Sequence, residues 1–331
     1  MSTPSRVDGR STFVGLDKRK LRFGITALLF LLFLMVPVYS AYADDGYVLI
    51  QFGRVLVFAL AAVGLNFALG YGGMVSFGHA MYIGIGAYTV GILAHHGFTN
   101  GIVHLAAMGL ITAAVAVPVG AIALRTQGIS FIMITLAFAQ MLFFVAIGLK
   151  PYGGDEGLTI SQPSGFGLLT ANRTALYLSM VLALGVALAL FQRIIASRFG
   201  LVLRATRINE QRVRAVGTPP LGYRLLGYVL SAELCALAGY FLANLTAFAS
   251  PAYMAWTVSG ELIVMVLLGG AGTLVGPVIG AAVFLLLEEG LKDLTEHWMA
   301  IMGPIIVLIV LFLKGGLWGL LGESPNGNGG R

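Results

Sequence analysis

Uncharged apolar runs of about 20 residues recur along almost the whole chain, and nothing else in the sequence restricts its fold as severely. Phe23 to Ala43, Gly101 to Leu124, Gly128 to Leu149, Thr174 to Gln192 and Leu262 to Leu287 are such runs. Tyr47 to Leu69 and Leu225 to Ala249 each carry one charge, Arg54 and Glu233, and Trp298 to Leu313 is a shorter final run. A bilayer core of about 30 Å is crossed by roughly 20 helical residues, whereas a membrane β-barrel shows segments of about ten residues alternating in polarity. These runs are solidly apolar. With 58% hydrophobic and 10% charged residues among 331, the chain also lies outside the soluble globular range. The expected fold class is therefore all-α, a polytopic transmembrane helix bundle of about eight to ten spans, some glycine-interrupted or half-spanning.

Charge placement orients the bundle. Of 20 Lys and Arg, six fall in the first 24 residues and seven in the stretch Arg193 to Arg224. Basic residues beside membrane spans mark the cytoplasmic side, so the formal charge of +6 reads as topology and gives no reason to expect nucleic acid. The expected organisation is a cytoplasmic basic tail (1–22), a transmembrane domain (23–314) and a flexible C-terminal tail (315–331). Within the domain, 150–172 is an outer loop, poor in Lys and Arg, and 193–224 a cytoplasmic loop. The Phe23 run ends in SAYADD, a signal-peptide-like sequence, but is too long for the usual h-region and reads as a first membrane helix.

Two glycine-rich stretches interrupt the apolar pattern. Shortly after Asn66, from Leu69, the chain reads LGYGGMVSFGHAMYIGIGAY, with six glycines between Gly70 and Gly86. Each glycine costs up to about 1 kcal/mol in a helix relative to alanine. Two readings remain open: a broken helix at the bundle centre, or close packing through small residues. The second stretch, ELIVMVLLGGAGTLVGPVIGAAVF, is expected to form two half-helices turning at Gly269 to Thr273, which would return Lys314 to the basic side. Interrupted segments placed in both halves point to a transport path. The candidate path residues are Asn66, Gly72, Gly73, Ser76, His79, Tyr82, Gly269, Gly270 and Thr273.

The residues of catalysis are missing. Neither HExxH, GxxxxGK[ST], GxSxG nor a Cys/His ligand spacing occurs, and Cys235 is the single cysteine, so no enzyme activity, metal site or cofactor is expected. His79 could move protons or pin irregular backbone through a hydrogen bond. Glu233 could be a proton or substrate site, or pair with an arginine. His95 and His96 at a span end, with Glu261, Glu288 and Glu289, read as interfacial, and Arg54 as a side chain reaching outward.

The basic loop is patterned. After Ser197, Phe199, Val202, Leu203, Ala205, Thr206, Val213 and Val216 recur at mostly helical intervals, ending at Gly217 before Pro219 and Pro220. This predicts one amphipathic cytoplasmic helix, suited to a groove on a partner protein.

At this point several stretches together carry a family resemblance. LNFALGYGGMVSFGHAMYIGIGAY, GGDEGL at Gly153 to Leu158, SRFGLVLRATRINEQRVRAVG, LLGGAGTLVGPVIGA and GPIIVLIVLFLKGGLWGLL resemble the branched-chain amino acid ABC transporter permease family, M-type membrane subunit, over about Phe23 to Leu321. Gln211 and Arg212 stand where small residues are common in that family, and Met74 where glutamine is common. The resemblance implies one half of an importer in the bacterial inner membrane, with the N-terminus cytoplasmic and no cofactor. Its implied partners are a homologous second permease subunit, two cytoplasmic ATP-binding subunits, a periplasmic or surface substrate-binding protein and membrane lipid. The ATPases would be coupled through a helix holding Arg204, Arg207, Glu210, Ala215 and Gly217. Leucine-like amino acids are the expected cargo, with urea, short amides or aromatic acids as alternatives. An ion-gradient-driven secondary transporter using His79 and Glu233 is the rival class.

Overall fold

The computed structural model describes residues 11–43, 46–165, 172–312 and 315–319. Residues 1–10 of the expected basic tail, Asp44 and Asp45, 166–171 of the expected outer loop, Leu313 and Lys314, and 320–331 of the C-terminal tail lie outside the described residues.

The backbone is almost entirely helical. In chain order the helices are α1 (Ser11–Ala43), α2 (Gly46–Asn66), α3 (His79–His95), α4 (Gly101–Ala123), α5 (Ile129–Gly148), α6 (Arg173–Ala196) and α7 (Arg198–Ile208). They continue with α8 (Glu210–Ala215), α9 (Pro220–Thr246), α10 (Trp256–Gly269), α11 (Gly276–Leu294), α12 (Trp298–Phe312) and α13 (Gly316–Gly319). Among the described residues, six helices are long and apolar enough to cross a membrane: Gly24–Ala43, Gly46–Tyr71, Gly101–Ala123, Ile129–Gly148, Arg173–Ala196 and Pro220–Thr246. The protein is an all-α polytopic membrane protein.

α2, α3 and α9 form the centre. From Val55 to Gly70 every residue of α2 and its continuation is buried. In a membrane, helices associate through packing rather than water exclusion, so small residues decide which backbones approach. Gly86 and Gly239 do this between α3 and α9. A Cβ on Gly86 would meet Tyr240 N at 3.0 Å and run into the Ala236 carbonyl, and one on Gly239 would lie 2.9 Å from Ile83 Cα.

Both glycine-rich stretches break. α2 runs on through a π-helical turn (Phe67–Tyr71), and Gly72 to Gly78 is non-helical before α3 begins. The open choice between breakage and small-residue packing resolves into both, with breakage at Gly72 and packing at Gly86. The second stretch turns as expected, between α10 and α11, with the non-helical residues Gly270 to Val275.

The basic loop differs from expectation. The single helix predicted to Gly217 is two, because Asn209 takes an extended conformation (φ −158°, ψ 103°) and its side chain accepts from Arg212 N at 3.0 Å. A residue that caps a new helix in this way ends the old one. Gly217 (φ 86°) then turns the chain, and α9 starts with proline at its first position, where the missing N–H has no helical partner to lose.

At the opposite end of α9, the GGDEGL segment folds back. Gly153, Gly154 and Gly157 all have positive φ, and the two-residue strand β1 (Leu158–Thr159) pairs antiparallel with β2 (Phe248–Ala249), Leu158 opposite Ala249. Ser164 N donates to Asn244 Oδ1 at 2.8 Å on α9. His104 holds the same segment. Its Nε2 lies 2.8 Å from the Phe98 carbonyl, so Nε2 is the donor, and Nδ1 accepts from Ser164 Oγ at 2.7 Å.

Candidate functional site

The first break is held by side chains from three other helices and by its own backbone. Gly72 N, Gly73 N and Met74 N donate to the carbonyls of Phe67, Leu69 and Ala68 at 3.2, 3.1 and 3.0 Å. Beyond them, Phe77 N donates to Thr135 Oγ1 of α5 at 3.3 Å, Gly78 N to Ser76 Oγ at 3.1 Å, and Ala80 N to Ser259 Oγ of α10 at 3.0 Å. The first N–H groups of a helix have no intrahelical partner, and in an apolar bundle only neighbouring protein can supply one. Ser259 does so for α3, and Thr135 for the non-helical residue Phe77 just before it.

The second break meets the first. Asn66, the last residue of α2, donates from Nδ2 to the Thr273 carbonyl at 2.7 Å and accepts at Oδ1 from Gly272 N at 2.8 Å. Thr273 Oγ1 donates to the Gly270 carbonyl at 2.7 Å, closing the turn. Gly270 (φ 117°) and Gly272 (φ 81°) occupy backbone conformations that side chains with a Cβ rarely adopt. Arg207 of α7 then reaches in and donates from Nη1 to the Gly70 carbonyl. The breaks therefore sit together at the end of the bundle that carries the basic loop, and not at the bundle centre expected for the first. The reason is that α2 stays helical through Tyr71 and gives way only beneath α7.

A cavity of about 320 Å³ opens under that junction. Gly72 to Val75 form one side, Gln127, Gly128, Phe131 and Ile132 a second, and Thr206 to Ile208, Glu210 and Arg224 the third. Glu210 is the electrostatic hub. Its carboxylate accepts from Arg224 Nη1 at 2.9 Å, Gln127 Nε2 at 2.9 Å and Arg214 Nη2 at 2.5 Å. Arg224 is buried, so the pair is only weakly screened by solvent. Arg224 thus does more than add to the basic charge of the loop.

The remaining predicted residues divide. Arg204 joins the end of α6 to its own helix, donating to the Ile195 carbonyl of α6 and the Gly200 carbonyl of α7 at 3.2 Å each, while Ala215 and Gly217 are exposed. His79, Tyr82 and Ser76 are fully buried and line no part of the cavity. Ser231 Oγ donates to the Gly64 carbonyl at 2.6 Å; its one hydrogen is thus used, and His79 Nε2, 2.8 Å away, must be the donor to it. The Tyr82 hydroxyl donates to that of Tyr228 at 3.2 Å. Glu233 faces Gly109 of α4 instead, and no described hydrogen bond or ion pair joins it to His79. Arg54 does not simply reach outward: its guanidinium lies 3.7 Å from Glu288, which is buried and also pairs with Lys292. Among the described residues no group of three or more His, Cys, Asp or Glu is placed to hold a metal ion.

Sequence reading missed Gln127, Thr135, Ser231 and Ser259. Thr135 and Ser231 stand within apolar helices, which is a usable signal, since such residues need a partner inside the bundle; Gln127, between helices beside Arg125 and Thr126, and Ser259, close to Thr257 and Glu261, carry no such signal.

The sequence matches the model of a family described as branched-chain amino acid transport system / permease component over residues 47–313. It is similar to the high-affinity branched-chain amino acid transport system permease protein LivM of Salmonella typhimurium, 26% identical over 287 residues, 79% of this chain and 68% of the relative. The protein of the same description in Escherichia coli is 26% identical over 288 residues, with the same coverage of 79% and 68%. A probable branched-chain amino acid transport permease protein LivM of Methanocaldococcus jannaschii is 26% identical over 334 residues, 84% of this chain and 93% of the relative. No solved structure matches the chain.

Proposed function

The chain belongs to the branched-chain amino acid transport permease family, and on that premise we propose that it carries leucine-like amino acids inward as one membrane subunit of an ATP-driven importer. ATP is hydrolysed on two partner subunits that dock against α7 and α8. A homologous permease completes the membrane path, and a substrate-binding protein delivers cargo from the other side. In this reading the N-terminus and the 193–224 loop face the cytoplasm of a bacterial inner membrane.

The observation that carries it is the bond from Arg207 to the Gly70 carbonyl. It ties α7, whose Arg198, Leu201, Arg204, Arg207 and Ile208 are exposed, to the π-helical turn that continues α2. Asn66, one turn earlier, ties that turn to Gly272 and Thr273. A displacement of α7 by a closing ATPase thus reaches both broken segments through three hydrogen bonds, without rearranging the α2–α3–α9 packing. Tightly packed cores shift between discrete arrangements rather than deform continuously, so a push at their edge moves whole elements.

Co-purification in mild detergent should bring down an ATPase and a second permease together. Liposomes holding that complex and the binding protein should accumulate leucine only with ATP. Leucine uptake by this chain alone, driven by a pH gradient, would overturn the proposal in favour of a secondary transporter.

A further inference from the structure

Resting on that import reading, we infer that the cavity beneath α7 binds a small molecule with one carboxylate and a branched aliphatic tail, retaining imported amino acid on the exit side so that accumulated product slows further uptake. Three observations combine. First, the wall carries two guanidinium groups, Arg207 and Arg224, against the single carboxylate of Glu210, which Arg214 also neutralises from outside. An excess of positive charge in a recess recruits an anion. Second, Arg207 is underused. Of the five N–H groups of a guanidinium, described residues take one, at Gly70. The others remain for a carboxylate, the planar partner that guanidinium recognises in bidentate fashion. Third, part of the remaining wall is apolar. Val75, 38% exposed, and Ile132 present an aliphatic surface beside the buried ring of Phe131, while Gln127 and Thr206 add polar groups.

The volume of about 320 Å³ is at the small end for ligand pockets, which suits a single amino acid and excludes a nucleotide-sized cargo. Glu210 Oε2 already accepts two hydrogen bonds, but Oε1 accepts one, leaving a lone pair for the ammonium of an amino acid. Occupancy would join Arg207 to ligand at the point where α7 meets Gly70, so a retained product and a moving α7 oppose each other.

The test is equilibrium binding of radiolabelled leucine to the purified full chain in lipid nanodiscs, competed with the matching 2-oxo acid and with 3-methylbutylamine. Leucine should bind, the oxo acid should compete and the amine should not. Val75→Trp, and separately Ile132→Trp on another helix, should weaken leucine binding by about tenfold or more with an unchanged melting temperature. In the reconstituted importer, leucine preloaded on the ATPase side should lower the initial uptake rate of the wild type and spare Val75→Trp. Absence of leucine binding, equal competition by the amine, or indifference to whichever tryptophan variant folds overturns the site. If uptake of leucine stands while binding fails, only the site is lost; if a carboxylate binds but the complex imports no leucine, the import reading is lost and the site stands.

Discussion

The side chain of Asn66 grips Gly272 and its neighbour from both ends of its amide, accepting from Gly272 N at 2.8 Å and donating to the Thr273 carbonyl at 2.7 Å. One planar group thereby satisfies a donor and an acceptor of a turn that has no helix to satisfy them, some two hundred residues further along the chain.

Asn66→Ala removes both bonds at once. A buried group left without its partner costs about 1–3 kcal/mol, so two such groups make this among the more destabilising single substitutions at the junction. The expected result is a clearly lowered melting temperature in detergent and loss of ATP-driven uptake. An unchanged melting temperature would mean that the two breaks are held together by something other than Asn66.

Glu210→Arg should abolish uptake without preventing membrane insertion. The change sets a third guanidinium against Arg224 and Arg214 and orphans Arg224. Breaking a buried pair costs about 3–5 kcal/mol, and the lower end applies because Glu210 and Arg224 retain 16% and 10% exposure. Exchanging the two charges, Glu210→Arg with Arg224→Glu, should recover part of the uptake. Comparing protein level in the membrane fraction with uptake in proteoliposomes separates a coupling defect from a folding one, and normal uptake by the single variant would sink the role assigned to this cluster.

Gly86→Val should block assembly of the centre. The added side chain meets backbone of α9, not the tip of a flexible residue, so α3 and α9 must separate to admit it. Overpacking typically costs about 1–3 kcal/mol, and contact with backbone puts this change at or above the upper limit. Size-exclusion profiles of the detergent extract should show aggregate in place of the monodisperse peak; Gly290→Val, where a Cβ meets nothing within 4 Å, is the matched control.

His79→Gln should retain both fold and transport, and His79→Leu should retain neither. A glutamine Nε2–H can replace the imidazole N–H that Ser231 accepts, whereas leucine leaves Ser231 and the α3 start unpinned. If the glutamine variant keeps its melting temperature but loses uptake, the imidazole has a chemical role in transport and the structural assignment fails.

Much of this protein is legible without coordinates. Apolar runs locate helices because a backbone in hydrocarbon must satisfy its own hydrogen bonds, and that requirement is local. The breaks near Gly72 and Gly270 are visible for the same reason, since glycine weakens a helix wherever it stands. The end of the second helix of the basic loop at Gly217 and the start of α9 at its prolines follow from capping rules that span a few residues. Asn209 illustrates the limit of such rules: asparagine is a good cap, but a short polar residue among arginines does not announce that it will end one helix and start another.

What the sequence determined alone was the helical kind of the elements and the places where the two glycine-rich stretches break. Only the tertiary structure decided which orphaned groups found each other: that Asn66 closes the second break, that Arg207 covers the first, that Arg224 turns inward to Glu210, and that His79 is spent on Ser231. Helix propensity and hydropathy act over a turn or two of chain, whereas a buried hydrogen bond is selected by whichever donor and acceptor the packing of distant helices brings within about 3 Å. The junction under α7 was therefore present in the residues but not in their order.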